Sequence, residues 1–181
     1  MNPKPLNMRR ILCVVLTGIG LLTACTSPPP RGASPSLELR HQSSTRDHCG
    51  PTTLASVLAF HGNEDFPEER ISELIFSPTA RGVLITDLAR IGREAGFETR
   101  ITFSSMEDLR QAVEQGLPPI VLLDLGIGSH RVPHFTAVTG ITETGVFVIG
   151  PNPTDDFIPN RLFTRQWNRT ENQLLLLLPS S

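Results

Sequence analysis

The sequence predicts an α+β fold, with helices in the first half of the folded region and an antiparallel sheet in the second. In residues 49–62 the apolar side chains recur at the three- and four-residue spacing of a helix. After Pro118 the pattern changes to alternation over 134–140 and 146–149, which is typical of strands. A short turn ending at Gly145 joins these two segments, so we expect them to pair as antiparallel neighbours.

Local signals predict the remaining elements in chain order. Pro67 and the two acidic residues after it open a short helix that runs to residue 75. Thr86 is the expected N-cap of a third helix, which Gly96 ends. The other predicted elements are a strand over 97–103, a helix over 106–115 capped by Ser104 or Ser105, and a buried strand over 120–123. A last apolar run over 174–178 resembles a strand, although five leucines also suit a helix.

Residues 1–24 are predicted to be an export signal that is removed from the mature protein. Lys4, Arg9 and Arg10 precede an apolar run over 11–22, which is too short to span a bilayer. The run ends in the tetrapeptide Leu-Thr-Ala-Cys, which resembles the lipobox of bacterial lipoproteins. In that family the signal is cleaved before the cysteine and the cysteine is acylated, so the resemblance implies that Cys25 carries lipid.

The predicted lipidated cysteine begins a tether over 25–36, and the folded domain is expected to occupy 37–181. The three consecutive prolines at 28–30 favour an extended, semi-rigid spacer. Two or more acyl chains would give stable membrane attachment. Thr26, rather than aspartate, follows the cysteine. By resemblance to Gram-negative sorting rules this favours the outer membrane, facing the periplasm; in a Gram-positive host the anchor would lie at the cell surface.

Charge and cysteine content exclude several classes of function. Removal of the signal leaves 13 basic and 18 acidic residues, a net charge of −5, and the basic residues are scattered arginines. We therefore expect no nucleic acid partner. Cys13 leaves with the signal and Cys25 takes lipid, so Cys49 is a lone thiol without an internal disulfide. No metal spacing or phosphate loop is present, so no cofactor is expected, and we expect a monomer.

Cys49 is the candidate nucleophile because it lies where the 49–62 helix begins. Pro51 suits the first helical turn, where a missing N–H costs nothing. The unpaired N–H groups and the positive end of the helix dipole favour a thiolate there. The alternative is a buried cysteine that acts as a small apolar residue. The neighbours His48 and Gly50 are not core residues, and this favours the nucleophile.

A cysteine nucleophile needs a general base and a third group that orients the base. His134 starts a predicted strand, which gives the base a rigid platform. The hairpin then carries Asn152 next to His134, although an asparagine before proline can also serve the turn itself. Asp155 and Asp156 are alternatives further into the loop. The other histidines are weaker candidates. His41 and His61 are expected at the surface. His48 adjoins the thiol, but its side chain should diverge from it, and His130 lies in a glycine-containing loop.

Several of these segments together resemble the C39 peptidases, the bacteriocin-processing family. The run Asp-His-Cys-Gly-Pro-Thr-Thr-Leu-Ala over 47–55 is similar to the catalytic motif of that family. The order of the motifs and the separation of 85 positions from Cys49 to His134 also match, and the resemblance covers nearly the whole folded domain. The further matching segments are Gly82-Val83 to Gly96-Phe97, Pro119 to Val121, His134 to Val138, and Phe163 to Trp167.

The resemblance implies a papain-like fold, in which the helix of the cysteine packs against an antiparallel sheet. It also implies that Cys49 is the nucleophile and that His134 is the base and then the acid. Asn152 stands where the family usually has aspartate. The family's oxyanion donor is a glutamine before the cysteine, and this implies Gln42, about one residue further upstream than usual. The backbone N–H of Cys49 would be the second donor.

We therefore expect a lipid-anchored cysteine peptidase that cleaves an exported peptide or protein through a thioester intermediate. The best-known C39 domains belong to ABC exporters and cut leader peptides in the cytosol, and we do not transfer that role to a lipid-anchored chain. One alternative is a cell-wall hydrolase like the NlpC/P60 lipoproteins, whose motif is Asp-Cys-Ser-Gly, whereas Gly50 and Pro51 follow the cysteine here. Another is a non-catalytic envelope lipoprotein that binds a partner in the same groove.

Overall fold

The computed structural model describes residues 36–40, 48–77, 82–150 and 156–180. Its helices are α1 (Cys49–Phe60), α2 (Glu68–Ile75), α3 (Ile85–Glu94), α4 (Met106–Glu114) and α5 (Asn160–Asn168). Its strands are β1 (Phe97–Phe103), β2 (Ile120–Asp124), β3 (Pro133–Ile141), β4 (Gly145–Val148), β5 (Asp156–Pro159) and β6 (Gln173–Pro179). Within these ranges, no helix is both long enough and apolar enough to cross a lipid bilayer.

The strands form one antiparallel sheet in the order β1-β6-β2-β3-β4-β5. The last strand in the sequence is inserted between β1 and β2, where it pairs with both. This central place explains why the leucine run over 174–178 is a strand rather than a helix: a strand buried on both faces is apolar throughout. The α+β prediction is confirmed.

Helices cover both faces of the sheet. Consecutive residues of a strand point to opposite faces, and the core is accordingly divided into two clusters. The first cluster contains α1, α2 and α3, and the second contains α4 and α5. Leu54 and Leu58 of α1 are fully buried in the first cluster, and burial of each contributes about 1.5–3 kcal/mol. On the strands, the α1 cluster contains Ile120, Ala137 and Leu175. Their sequence neighbours in the second cluster are Val121, Val138 and Leu174.

The N-caps of α4 and α3 can be compared with the sequence predictions, and only that of α4 is as predicted. Ser105 caps α4, since its hydroxyl accepts a hydrogen bond from the N–H of Asp108 at 3.2 Å. The prediction that Thr86 is an N-cap is wrong, because α3 begins at Ile85 and its N-cap is Leu84. The carboxylate of Asp87 reaches back and accepts from the N–H of Leu84 at 3.4 Å, which replaces a side-chain cap.

Two elements have no counterpart among the sequence predictions: β5 and α5. The strand β5 has only four residues and ends at Pro159. The helix α5 buries only Phe163 and Trp167, which lie one turn apart. Two aromatic residues in a polar stretch give a weak periodic signal, and this explains why the pattern does not reveal the helix.

Candidate active site

The prediction that a helix begins at Cys49 is confirmed, and this helix end lies directly against β3. The N–H of Phe135 donates a hydrogen bond to Cys49 Sγ at 3.4 Å. One turn further along α1, the hydroxyl of Thr53 donates to the carbonyl oxygen of Phe135 at 3.2 Å. Both backbone groups of a single strand residue are thus bound by the first five residues of α1, and this fixes the sulfur against β3.

Gly50 allows this close approach. A Cβ atom at position 50 would lie 3.2 Å from the ring of Phe135 and would collide with the side chain of Val83. The helix end can therefore lie on the strand only because residue 50 has no side chain. The sequence Cys-Gly is thus a packing requirement of the site as well as a motif.

His134 is the residue immediately before Phe135 and the second residue of β3. It is half-buried, and its Cα partner on β2 is Leu123. The strand therefore places an imidazole one residue away from the N–H that binds the sulfur of Cys49. A thiol at a helix start and an imidazole on the adjoining strand are the two groups that acyl transfer through sulfur requires.

A buried carboxylate fixes the start of β3. Asp124, the last residue of β2, is only 2% exposed and is the Cα partner of Pro133. Its Oδ1 accepts from the backbone N–H groups of Gly126 and Val132, both at 2.9 Å. Its Oδ2 accepts from two guanidinium groups at 2.7 Å, those of Arg131 and Arg169.

The environment of Asp124 favours its charged form. Burial alone would raise the pKa of this carboxyl, but four donors oppose the effect of burial. The N–H of Val132 and the guanidinium of Arg169 lower the pKa, as do the N–H of Gly126 and the guanidinium of Arg131, so that the pKa of Asp124 lies well below its ordinary value. The carboxylate is therefore ionised throughout the neutral range and holds the loop that leads into His134.

The structure separates the other described histidines from this arrangement. The Nδ1 of His48 lies 2.7 Å from Glu68 Oε1 on α2, so its side chain diverges from the thiol as expected. His61 follows the far end of α1, a helix about 18 Å long. His61 is half-buried rather than a surface residue, because its ring packs against Phe60 and Phe97, and burial lowers its pKa. His130 is exposed in the β2–β3 loop.

Several predicted site residues lie outside the described ranges, and their assignments stay predictions. These are Cys25, His41, Gln42, Asn152 and Asp155. Asp156, one of the alternatives for the third group, begins β5 opposite Val148. Its carboxylate lies over Gly150, where an added Cβ would be 2.6 Å from the Asp156 Cγ.

Comparison with known protein families identifies the architecture. The family model of the peptidase C39 family matches residues 36–179. The chain belongs to the peptidase C39 family. Membership of this family implies a cysteine peptidase. No curated protein sequence matches the chain.

Solved C39 peptidase structures share the fold of this C39 family member, which confirms the fold prediction. The peptidase domain of Streptococcus ComA, a bifunctional ABC transporter involved in quorum sensing, is 25% identical with a TM-score of 0.63, and the match covers 79% of this chain and 98% of that one. A double-glycine motif protease from an AMS/PCAT transporter, solved with its leader peptide, is 19% identical with a TM-score of 0.64, covering 82% and 96%. A C39-like peptidase from Bacillus anthracis is 14% identical with a TM-score of 0.67, covering 80% and 99%.

Three contacts around the site have no counterpart in the sequence predictions. They are the bond from Thr53 to Phe135, the pair of His48 and Glu68, and the network around Asp124. Only the first carries a local signal, because Thr53 lies one helical turn after Cys49 and therefore on the same face of α1. His48 and Glu68 are 20 positions apart and Asp124 and Arg169 are 45 apart, and no periodic pattern links such residues.

Proposed function

We propose that this C39 peptidase is a lipid-anchored enzyme of the cell envelope that hydrolyses peptide bonds in an exported peptide or protein. The observation that carries the proposal is the hydrogen bond from the Phe135 N–H to the sulfur of Cys49. Because His134 is the residue immediately before Phe135 on β3, the same contact brings the strand of the proposed base to the nucleophile.

In the proposed reaction, His134 takes the proton of Cys49, and the thiolate attacks the carbonyl carbon of the scissile peptide bond. The C–N bond breaks as His134 returns the proton to the leaving amine, and a thioester remains on Cys49. Water then attacks the thioester, with His134 as the base, and releases the carboxylic acid and the free thiol. The oxyanion would be bound by the backbone N–H of Cys49 and the side-chain amide of Gln42.

We propose Asn152 as the group that orients His134, with support from the register of the described strands. Val138 pairs with Val148, and the N–H of Ile149 donates to the carbonyl oxygen of Ala137. In the sequence, Asn152 lies three residues after Ile149, and His134 lies three residues before Ala137. An asparagine can hold an imidazole by a hydrogen bond, although it stabilises an imidazolium less than an aspartate would.

The close packing at Gly50 favours this function over the cell-wall hydrolase alternative. The Asp-Cys-Ser-Gly motif of that alternative puts a serine directly after the nucleophile. At position 50 a side chain would collide with Val83 and press on Phe135. The site of this chain is therefore built for the Cys-Gly-Pro sequence.

The proposed activity is tested by incubating the full-length protein, in detergent micelles, with a peptide library and identifying cleaved bonds by mass spectrometry. We expect cleavage by the native protein and a loss of at least about 100-fold in the Cys49→Ala variant, since the nucleophile is removed. Circular dichroism should show that the variant is folded. Cleavage that persists in Cys49→Ala would contradict the assignment, and release of fragments from purified peptidoglycan alone would favour the cell-wall alternative.

A further inference from the structure

The residue before the nucleophile, His48, is held by side chains of α2 and of the residue that follows it. The Nδ1 of His48 lies 2.7 Å from Glu68 Oε1, at the start of α2. The hydroxyl of Ser72 donates to the same Glu68 oxygen at 2.7 Å and lies 3.4 Å from His48 Nδ1. The imidazole also packs against the ring of Phe76, with the ring centroids 5.0 Å apart. The His48 ring is therefore held by three side chains of the α2 region.

Fixing His48 also fixes the backbone from which Cys49 starts. His48 is the N-cap residue of α1, but its side chain makes no cap hydrogen bond. Its carbonyl oxygen accepts a hydrogen bond from the hydroxyl of Thr52 at 2.8 Å. Residue 48 is thus bound through its carbonyl to α1 and through its ring to α2, and little freedom is left to the residue that follows.

The start of α1 is tied on two sides. On one side Phe135 of β3 binds both Cys49 Sγ and the hydroxyl of Thr53. On the other side, the side chain of His48 contacts that of Glu68; the two side chains are 38% and 18% exposed. A carboxylate at the first position of a helix is also favourably placed with respect to the helix dipole, so α2 holds Glu68 in place.

We propose that Glu68 is a positioning residue for the nucleophile. By accepting the hydrogen bond of His48 Nδ1, it keeps the imidazole turned toward α2 and holds Cys49 Sγ at the N–H of Phe135. Without this acceptor, the His48 ring would be free to turn back toward the thiol and the helix start. This inference rests on the proposed function, because positioning matters only if Cys49 is the nucleophile.

The chain offers a matched control in Glu69, which lies in the same first turn of α2 and is exposed. Glu68→Ala and Glu69→Ala remove the same charge from the same helix end, but only the first removes the partner of His48. Glu68→Gln provides the rescue, because its amide oxygen can still accept from the imidazole N–H.

The experiment measures kcat and KM for a peptide identified in the cleavage assay, using the full-length protein in micelles. We expect Glu68→Ala to lower kcat about tenfold with KM nearly unchanged, because displacement of a reacting atom by about 1 Å can cost up to about 100-fold in rate. Glu69→Ala should match the native protein, and Glu68→Gln should recover kcat to within about threefold of it. The rate of Cys49 alkylation by iodoacetamide at pH 7 should fall in Glu68→Ala alone.

Equal kcat values for Glu68→Ala and Glu69→Ala would overturn the positioning role, and so would a Glu68→Gln variant as impaired as Glu68→Ala. The alkylation assay separates this result from failure of the proposed function. If the native protein cleaves no peptide, the proposed function fails, but the alkylation rates of the two alanine variants still test whether Glu68 positions the sulfur.

Discussion

At the thiol of Cys49, two features of the backbone stabilise an ionised sulfur. The N–H of Phe135 donates to Sγ, and a hydrogen bond to the charged form of a group favours that form. Cys49 is also the first residue of α1, whose first turn contains no acidic side chain that would offset the positive end of the helix dipole. Both effects are independent of His134, to which the proposed reaction assigns the proton transfer.

We expect Cys49 to react with iodoacetamide as a thiolate at pH values well below the ordinary cysteine pKa of about 8.5. The measurement is the alkylation rate as a function of pH, in the native protein and in His134→Ala. Removal of the imidazole should shift the reactive range upward, because an ion pair that favours the thiolate is lost. The matched control is His130→Ala, which removes an exposed imidazole from the β2–β3 loop and should leave the profile unchanged. Identical profiles for His134→Ala and the native protein would show that His134 does not act on the thiol.

Among the elements, the β2–β3 connection carries the hydrogen-bond network that leads into His134. Asp124 ends β2, and its carboxylate binds the loop at Gly126 and Val132 as well as two arginines. The second arginine, Arg169, follows α5, so the network also joins the loop to the far end of the chain. The strand residue His134 is therefore positioned by contacts that begin ten residues earlier and end 35 residues later.

We expect Asp124→Asn to lower the free energy of unfolding by about 1–3 kcal/mol, because the buried donors lose a charged acceptor while the two arginines remain partly exposed to solvent. Urea denaturation at pH 7 measures the change. The control is Glu171→Gln, which removes one negative charge from an exposed side chain near the same network and should change stability by less than about 0.5 kcal/mol. Equal stability of the two variants would contradict the role given to the network.

The same network predicts how the stability depends on pH. The folded pKa of Asp124 is lowered, so its contribution is fully present above the unfolded aspartate pKa of about 3.9. The contribution is lost as the pH falls from there toward the folded pKa, because the unfolded state then binds a proton that the folded state excludes. Below pH 4 the native protein should therefore lose stability more steeply than Asp124→Asn. Parallel curves for the two proteins in that range would show that the Asp124 carboxyl is not the titrating group.

Most elements follow from local patterns, while the contacts that complete the site do not. The alternation of 97–103 predicts β1 with its observed bounds, and the Cys-Gly-Pro step predicts the observed start of α1. These features depend on residues within one or two turns of each other. The pairing of His48 with Glu68 depends instead on the way α2 packs beside α1. Such packing follows from tertiary structure, and a single sequence does not reveal it.

For the molecule as a whole, the described N-terminal residues show where a tether would leave the domain. The backbone N–H groups of Ser36 and Leu37 both donate to the carbonyl oxygen of Thr139 at 2.8 Å, and Leu39 is buried in the α1 cluster. Thr139 lies four residues along β3 from Phe135, a distance of about 13 Å at the rise of a strand. A membrane tether entering at Ser36 would therefore leave the Cys49 end of β3 accessible to substrate.

The proposed anchor predicts that Cys25→Ser moves the protein from the membrane fraction to the soluble fraction, because the acyl chains supply the membrane affinity. Fractionation after a high-salt wash measures the distribution. Cys13→Ser is the matched control: it changes a cysteine within the predicted signal, so under the proposal it should leave the protein on the membrane. Because the tether would join the domain at the other end of β3, kcat/KM for a soluble peptide should be the same for lipidated and unlipidated protein. A Cys25→Ser protein that stays in the membrane fraction would place the anchor elsewhere. A difference in kcat/KM between the lipidated and unlipidated proteins would show that the anchor also acts on the active site.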